Sequence, residues 1–325
     1  MRIGILGAAR IAPKAVVAPA RELAGVDAAA VAARSFERAK AFAAEHDIAS
    51  AARDYQALCD APELDAVYVA LPAALHGRWV RAALAGGKHV LCEKPLAANA
   101  DEAAELVAQA SDAGLALVEA QHWRCHPLAE RLGALLAAGE IGRVTRVDAG
   151  FTTPVHAPNI RYELALGGGA LMDLGCYPVH WARFAAGEEP EVIDASAVVG
   201  PPEVDLEMSA GLAFPSGAVG RIHCSMDPSR GPRRTWLEVH GTAGAIRLDN
   251  PLTPQLGHTL RVEGEAGAWS ETVPGRSTFD HQLDAFARTV AGEPPRVSGA
   301  DSLGNARTLD AIYRAAGLAP RRPAA

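Results

Sequence analysis

The chain has 325 residues, 49% of them apolar and 21% charged, which predicts a globular protein with two domains rather than one core. A formal net charge of −7 argues against a nucleic-acid-binding or anionic-membrane-binding protein, because such surfaces need clustered lysine and arginine. Five widely spaced cysteines without a CxxC pair favour a reduced, cytoplasmic protein, and no long apolar stretch or secretion signal points to a membrane.

The first third of the chain alternates apolar, strand-like runs with helical stretches. The strand-like runs are RIGILGA, VDAAAVAA, DAVYVAL, KHVLCE and ALVEA. This rhythm is typical of βαβ units, in which helices cover both faces of a parallel sheet. Residues 1–121 are therefore predicted to form a dinucleotide-binding Rossmann domain with a doubly wound parallel sheet.

After residue 121 the pattern changes to successive extended segments separated by turn residues. Several of them, including RVTRVDAGFT, AVGRIHCSM and GAIRLDN, alternate apolar and polar residues. This pattern predicts an α+β domain over residues 122–325, with a large, mainly antiparallel sheet and a closing helix from Asp301 to Ala316. The overall fold class expected is α/β, with a substrate-binding and oligomerisation domain after the Rossmann domain.

A glycine-containing turn follows the first predicted strand. Compared with the G-x-G-x-x-G pattern, Gly7 keeps the first glycine, while Ala9 and Ala12 stand at the second and third positions. Small residues there still let the backbone approach a pyrophosphate at a helix N-terminus. The alternative is a tight turn without a ligand, but its place after the first βαβ strand favours cofactor binding. The residues predicted to contact the cofactor here are Gly7, Ala8, Ala9, Arg10 and Ile11.

The end of the second predicted strand sets the expected cofactor preference. Proteins that bind NAD place an acidic residue there for the ribose 2′-hydroxyl, but this chain has Arg34 and Ser35, with Arg38 one helical turn later. Guanidinium groups and a hydroxyl suit a 2′-phosphate better than a bare ribose. The alternative is that Ser35 only caps a helix beside solvated arginines. These residues predict a preference for NADP, with NAD as the less favoured cofactor.

The stretch VLCEKPLA, residues 90–97, ends an apolar strand with Glu93, Lys94 and Pro95. In open parallel sheets, ligands bind at the carboxyl ends of the strands, so Lys94 is predicted to deliver an ammonium group to a reaction. The alternative is that the acid and the base only solvate a turn. Whether the peptide before Pro95 is cis stays open at this point.

A second chemical constellation follows three glycines at 167–169. If the chain is helical from about Ala170, then Asp173, Tyr177 and His180 share one face, because they are four and seven residues apart. The alternative is that Tyr177 is a core tyrosine and Asp173 caps the helix. A lysine such as Lys94 would stabilise the tyrosine phenolate, which makes a phenol useful as an acid–base at neutral pH.

These residues lie in motifs that resemble the Gfo/Idh/MocA oxidoreductase family. The motifs are GILGAARIA, ALPAALHGRWVRAALAGGKHVLCEKPLA, EAQHWRCHP, GGGALMDLGCYPVH and LEVHGTAGAIRLDNP, which together span most of the chain. A tyrosine at 177, four residues after Asp173, is similar to the glucose–fructose oxidoreductase and dihydrodiol dehydrogenase branch. The alanines at 9 and 12 depart from the glycine pattern.

The resemblance implies roles for residues at these motifs. Lys94 and Tyr177 would handle the proton, and Asp173 and His180 would orient substrate hydroxyls. A homodimer or homotetramer formed through the C-terminal sheet is also implied. The further cofactor contacts that the resemblance implies are Leu71, Pro72, His76, Glu93 and Pro95, and the further substrate contacts are Arg124 and Arg161.

The function expected from these features is NADP-dependent hydride transfer to or from a secondary alcohol or ketone of a sugar, cyclic polyol or trans-dihydrodiol. The alternatives are a catalytically silent NADP-binding sensor and a reductase of another carbonyl, such as an anhydro-ketose or a bilin-like ligand. His122, Cys125 and His126 are spaced like metal ligands, but no distant ligand set accompanies them, so no metal is expected.

Overall fold

The computed structural model of the chain describes residues 1–201, 203–265 and 267–324. They form two compact units. The first unit contains Met1–His122, Phe279–Leu303 and the chain from Pro323, and the second contains Trp123–Thr278 and Gly304–Arg322. The sequence pattern placed everything after residue 121 in one continuous domain, whereas residues 279–303 pack with the first unit.

The first unit is built on a six-stranded sheet in which all neighbouring strands are parallel. Its order is β3-β2-β1-β4-β5-β6, the arrangement of a Rossmann fold, so the predicted N-terminal architecture is confirmed. The strands β1–β6 are Arg2–Leu6, Asp27–Ala32, Ser50–Ala51, Ala66–Val69, His89–Cys92 and Leu117–Glu119.

Helices cover both faces of this sheet because its strands carry almost continuous apolar residues. Six helices precede the second unit in the chain. They comprise the π-helical turn Pro13–Val17 with its continuation α1 (Ala18–Glu22), α2 (Phe36–Glu45), α3 (Tyr55–Cys59), α4 (Ala73–Ala85) and α5 (Ala100–Asp112).

The helix Thr278–Val290 packs with the first unit, and the helical spacing of its apolar residues is visible in the sequence. The extended segments that precede it favoured a single second domain instead. Phe279, Leu283 and Phe286 recur at helical spacing, and Leu283 and Phe286 are buried in the same apolar cluster as Ile5 and Leu91. Burial of this face against the first unit's core explains why the segment leaves the second unit.

The second unit contains an eight-stranded sheet in the order β14-β13-β12-β11-β7-β10-β9-β8. Its neighbouring strands are antiparallel except for β7 and β10, which are parallel. The predicted large, mainly antiparallel sheet is therefore confirmed. The strands β7–β14 are Val144–Thr152, Glu191–Gly200, Val204–Ala213, Val219–Ser225, Arg234–Gly241, Ala245–Asp249, Thr259–Gly264 and Gly267–Glu271.

One face of this sheet packs against the helix Cys176–Ala186, which contacts β7, β10 and β11. Nearly every residue of that helix is buried, so the helix forms the centre of the unit's core. The helices after α5 are α6 (Pro127–Ala137), α7 (Cys176–Ala186), α8 (Thr278–Val290) and α9 (Gly299–Ala315). None of the helices in the described ranges has the length and apolarity to cross a membrane.

Candidate active site

The turn after β1 requires a glycine. Gly7 has a φ of 109°, a backbone conformation that L side chains rarely adopt, and a Cβ atom there would lie 2.5 Å from the carbonyl oxygen of Ala70. The backbone of β1 therefore passes directly beside the end of β4, at the point where the strand order of the sheet reverses. Ligands of open parallel sheets bind at this switch point.

The predicted third glycine position is filled by a fully buried residue. Ala12 is 0% exposed, and the helix begins directly after it, with Pro13 at its first position. A methyl group is accommodated there, so helix and strand still pack closely without the glycine. The turn and the helix N-terminus thus retain the features that hold a pyrophosphate, and they fit a dinucleotide.

The residues predicted to select the cofactor lie together beside this turn. Arg34, Ser35 and Arg38 are all exposed at the end of β2 and the start of α2. The Ser35 hydroxyl accepts a hydrogen bond from the backbone N–H of Arg38 at 3.3 Å, so Ser35 does cap α2. The Arg38 guanidinium donates to the carbonyl oxygen of Ala8 at 3.0 Å. This bond brings the positive charge of Arg38 to the glycine turn.

The carboxyl end of β5 places Glu93 and Lys94 at the same edge of the sheet as Gly7. Tyr68, buried within β4, donates its hydroxyl hydrogen to Glu93 Oε1 at 2.5 Å. The backbone N–H of Glu93 bonds to the Val69 carbonyl oxygen at 3.0 Å, which continues the ladder to the end of the strand. Tyr68 was not among the predicted residues, because a tyrosine inside a buried strand looks like an ordinary core residue.

His76 ties the ends of β4 and β5 together from the first turn of α4. Its ring is buried, with Nδ1 2.8 Å from the Pro95 carbonyl oxygen and Nε2 2.7 Å from the Leu71 carbonyl oxygen. Burial lowers the pKa of His76, and Lys94 contributes to that shift, which shows that the Lys94 charge lies near the ring. The Lys94–Pro95 peptide is cis. Pro72 occupies the N-cap of α4.

In the second unit, Asp173 lies on a π-helical turn, Leu171–Gly175, that leads directly into α7. Its carboxylate forms an ion pair with Arg161, and the positive and negative groups are both partly shielded from water. Asp173 raises the pKa of the Arg161 guanidinium, and Tyr177 adds to that rise. Asp173 and Tyr177 therefore both lie near the Arg161 guanidinium.

The ring of Tyr177 is held between two aromatic side chains. It stacks on Trp181 with ring centroids 6.1 Å apart and lies 6.0 Å from the ring of Phe151. A second guanidinium, that of Arg233, lies 5.6 Å from the Phe151 ring centroid. Desolvation lowers the pKa of Arg233, and the nearby Tyr177 hydroxyl opposes this shift. The phenol therefore has two positively charged neighbours.

Arg233 was not predicted, because it precedes a strand in a polar stretch, RGPRRTW, that reads as a solvated turn. Its guanidinium donates to Thr253 Oγ1 at 3.2 Å, and no acidic partner accompanies it among the described residues. The two cations around Tyr177 thus differ: Arg161 is neutralised by Asp173, whereas the Arg233 charge is uncompensated by a carboxylate.

Two other predicted substrate residues have structural partners in the second unit. His180 is 2% exposed, and its Nδ1 accepts a hydrogen bond from Trp123 Nε1 at 3.0 Å. This bond requires a neutral ring with its proton on Nε2. The Arg124 guanidinium lies 4.4 Å from the ring centroid of Phe184, so it is stacked on an aromatic face.

His126 and His122 also have structural partners close by. His126 caps α6 by accepting the backbone N–H of Leu128 at 3.1 Å, and the His122 ring packs 4.3 Å from that of Phe279. Across the described residues, no group of three or more histidine, cysteine or acidic side chains is arranged to hold a metal ion.

Comparison with known protein families matches both halves of the chain. Residues 1–121 match the family described as "Oxidoreductase family, NAD-binding Rossmann fold", and residues 129–247 match the "GFO/IDH/MocA C-terminal domain". The two matched ranges correspond to the parallel sheet and to the core of the second sheet, and they contain the cofactor turn, Lys94 and the Asp173–Tyr177 helix.

Individual relatives extend over most of the chain. The sequence is 40% identical over 322 residues to D-xylose 1-dehydrogenase (NADP(+)) 2 of Haloferax volcanii, with 97% of each chain covered. It is 38% identical over 248 residues to trans-1,2-dihydrobenzene-1,2-diol dehydrogenase of Xenopus laevis, with 75% of this chain and 74% of the relative covered.

A solved structure is similar over the same range. The 3-ketoreductase KijD10 from Actinomadura kijaniata, in complex with NADP and TDP-benzene, superposes with a TM-score of 0.89 at 30% sequence identity and covers 97% of each chain. These relatives act on different molecules, so they agree on the fold and the reaction class more closely than on the substrate.

Proposed function

Because the chain belongs to the Gfo/Idh/MocA family of oxidoreductases, we propose that it is an NADP-dependent dehydrogenase or reductase. The proposed substrate carries a secondary alcohol or ketone and is a sugar, a cyclic polyol or a trans-dihydrodiol. One observation carries the proposal: a single edge of the parallel sheet holds the glycine turn, the Arg38 guanidinium bonded to Ala8, and Lys94.

NADP would be held by the residues at this edge. The Gly7 turn and the following helix N-terminus would receive the pyrophosphate, Arg34 and Arg38 the 2′-phosphate, and residues 71–76 and 93–95 the nicotinamide half. When bound, the nicotinamide donates or accepts the hydride, and the protein supplies orientation and charge. The residues proposed for this role are Gly7, Ala8, Ala9, Arg10, Ile11, Arg34, Ser35, Arg38, Leu71, Pro72, His76, Glu93, Lys94 and Pro95.

Tyr177 is proposed to exchange the proton with the reacting oxygen. Alcohol oxidation requires removal of the hydroxyl proton, and ketone reduction requires its return. A free phenol has a pKa of about 10, so it needs nearby positive charge to serve near neutral pH. Arg161 and Arg233 supply such charge within the second unit.

Asp173 is proposed to have a double role at this helix. Its carboxylate orients Arg161 through their ion pair, and its remaining acceptor capacity suits sugar hydroxyls. Arg124 and His180 are proposed as further substrate contacts. The relatives named as a D-xylose dehydrogenase, a trans-dihydrobenzenediol dehydrogenase and a 3-ketoreductase support this substrate class.

The cofactor preference gives a first prediction. Arg34→Ala together with Arg38→Ala is expected to raise the KM for NADP by about 10- to 100-fold. This corresponds to a loss of about 1.4–2.8 kcal/mol from charge-assisted contacts that solvent partly screens. The KM for NAD should change less than twofold. Lys40→Ala is the control on the same helix, because Lys40 is exposed and pairs with Glu37, and it should alter neither constant. Equal losses with both cofactors would refute the 2′-phosphate role.

Arg233 gives a pH-dependent prediction. Oxidation needs the deprotonated form of Tyr177, so the rate rises with pH through the tyrosine's pKa. Arg233→Met removes a positive charge that would favour the phenolate, so the rising limb of the pH–rate profile should move to higher pH by about one unit. Arg234→Met, which removes the adjacent guanidinium stacked on Trp236, should leave the limb in place. If the rising limb of the pH–rate profile stays in place in both variants, the proposed effect of Arg233 on Tyr177 is contradicted.

The substrate proposal is tested with a panel of aldoses, cyclic polyols, trans-dihydrodiols and keto-sugars. The measured quantity is the absorbance of the reduced nicotinamide, followed with NADP for oxidation and with NADPH for reduction. Turnover of at least one of these classes, preferring NADP over NAD, is expected. Turnover restricted to an anhydro-ketose or an unrelated carbonyl would replace the proposed substrate class.

A further inference from the structure

A buried ion pair lies directly below the three-glycine turn of the second unit. Asp205 of β9 and Arg321 form it, with side chains 0% and 4% exposed. Neither residue touches the proposed chemistry, and neither stood out in the sequence. Two charges so completely removed from water need a structural or functional reason.

The pair is anchored to the backbone on either side of Gly169. Asp205 Oδ2 accepts a hydrogen bond from the backbone N–H of Leu171 at 2.7 Å. Arg321 Nε donates to the Gly168 carbonyl oxygen at 2.8 Å. The Tyr313 hydroxyl donates to Asp205 Oδ1 at 3.1 Å, which gives the carboxylate a third partner. Both ends of the ion pair therefore hold the chain where the π-helical turn begins.

Gly169 shows how closely the pair approaches this turn. A Cβ atom at Gly169 would lie 2.1 Å from Asp205 Oδ1 and 2.7 Å from an Arg321 terminal nitrogen, and the residue has a φ of 130°. Its carbonyl oxygen accepts the N–H of Asp173 at 3.1 Å, and its own N–H donates to the Arg161 carbonyl oxygen at 3.0 Å. The same turn thus connects the buried pair to both members of the Arg161–Asp173 pair.

Stability alone does not account for this arrangement. Replacing a buried ion pair with apolar residues of similar size is often neutral or stabilising, because the charges no longer have to be desolvated. Apolar residues would lose the bonds to Gly168 and Leu171, however. The distinctive contribution of the charged pair is thus the position that it gives to the start of the helix.

We propose that Asp205 and Arg321 are positioning residues that set the placement of Asp173 and Tyr177 for the reaction. The inference rests on the proposed function of those two residues. A displacement of about 1 Å at a reacting group can lower a rate by about 100-fold, so a small shift of this turn would suffice.

The test combines Asp205→Leu with Arg321→Met, which removes both charges together. The double variant is expected to fold but to unfold at a lower temperature than wild type, because buried groups of Gly168 and Leu171 lose their partners. It should bind NADP with a Kd within twofold of wild type. Its kcat should fall by about 10- to 100-fold. Arg131→Met, which breaks the Arg131–Glu271 pair elsewhere in the second unit, is the control and should keep the wild-type kcat.

Arg321→Lys provides a second, milder test if the double variant does not fold. Lysine keeps the charge beside Asp205 but cannot present the two-pronged guanidinium that also reaches Gly168. A folded Arg321→Lys enzyme with kcat several-fold below wild type and an unchanged NADP Kd supports the proposal. A folded variant of either kind with wild-type kcat overturns it.

A structural readout separates this inference from the proposed function. Trp181 stacks on Tyr177, so the near-ultraviolet circular dichroism of the protein should change in the double variant. It should remain unchanged in Arg221→Met, which breaks the exposed Arg221–Asp194 pair. If wild type turns over no panel substrate, the proposed function fails, and this spectrum still decides whether the pair positions the helix. If wild type and double variant turn over equally, only the positioning role fails.

Discussion

A Lys94→Met enzyme is expected to lose about 10²- to 10⁴-fold in kcat while its Kd for NADP changes by less than about threefold. The side chain follows β5 at the carboxyl edge of the parallel sheet, and its charge contributes to the lowered pKa of His76. We propose that its ammonium group stabilises negative charge on the reacting oxygen of the substrate. Methionine keeps the length of the side chain and removes only this charge.

Lys88→Met is the matched control for Lys94→Met. Lys88 immediately precedes β5, at the opposite end of the same strand, and its buried ammonium donates to the Leu64 carbonyl oxygen at 2.8 Å. Loss of that bond should lower the free energy of unfolding by about 1–3 kcal/mol without a comparable fall in kcat. Equal kcat losses in the two variants would show that Lys94 acts only through stability.

Tyr177→Phe is expected to lower kcat by about 10²- to 10⁴-fold, because the phenol hydroxyl is the proposed proton carrier and the ring itself is preserved. The stacking on Trp181 should survive, so the temperature of unfolding should stay close to that of wild type. Steady-state kinetics over a pH range provides the measurement. The rising limb of the pH–rate profile that reflects ionisation of Tyr177 should disappear, and kcat should be low at every pH.

Tyr162→Phe is the control for this variant, since it removes another tyrosine hydroxyl from the second unit. That hydroxyl donates to the Val155 carbonyl oxygen at 2.7 Å, and its loss should affect stability by about 1 kcal/mol but leave the pH profile intact. Combining Tyr177→Phe with Lys94→Met should lower kcat by much less than the product of the separate losses, because the two groups are proposed to serve one step. Full multiplicativity would argue that they act independently.

Much of the first unit follows from local sequence patterns. Apolar runs bounded by glycine and proline predict the strands, and the conformational freedom of Gly7 predicts the turn. Because parallel strands present their carboxyl ends at one edge, the sequence also predicts that Gly7 and Lys94 lie at the same edge of the sheet. The partnership of Tyr68 with Glu93 was not predictable, because nothing local distinguishes a buried strand tyrosine that bonds a neighbouring strand's end.

The burial of Asp205 could not be predicted from the sequence for a different reason. In the stretch VDLEMSAGLA, Asp205 alternates in step with Glu207 and Ser209, which predicts that all three lie on the same outward face. The strand pairing shifts at this point: Val198 pairs with Glu207, but Val199 pairs with Asp205, which is an irregularity of the kind a β-bulge produces. Such a shift reverses the side-chain direction, and Asp205 becomes fully buried.

Long-range packing accounts for the remaining differences. Arg321 lies 116 residues beyond Asp205, so only the tertiary fold can bring their side chains together. The return of α8 to the first unit has the same origin, since the helical spacing of its apolar residues is visible locally but its packing partner is not. The sequence therefore indicates the chemistry at strand ends better than it indicates the buried groups that support that chemistry.

We propose that this chain catalyses NADP-dependent oxidoreduction rather than only sensing the cofactor. The most direct measurement is a single-turnover experiment, in which the enzyme–NADPH complex is mixed with members of the keto-sugar panel and the reduced-nicotinamide absorbance is followed. Wild type should oxidise one equivalent of bound NADPH per site with at least one substrate, while Lys94→Met and Tyr177→Phe bind NADPH and react far more slowly. Tight NADPH binding by wild type would contradict catalysis if no keto-sugar oxidises the bound NADPH and no alcohol of the panel reduces bound NADP.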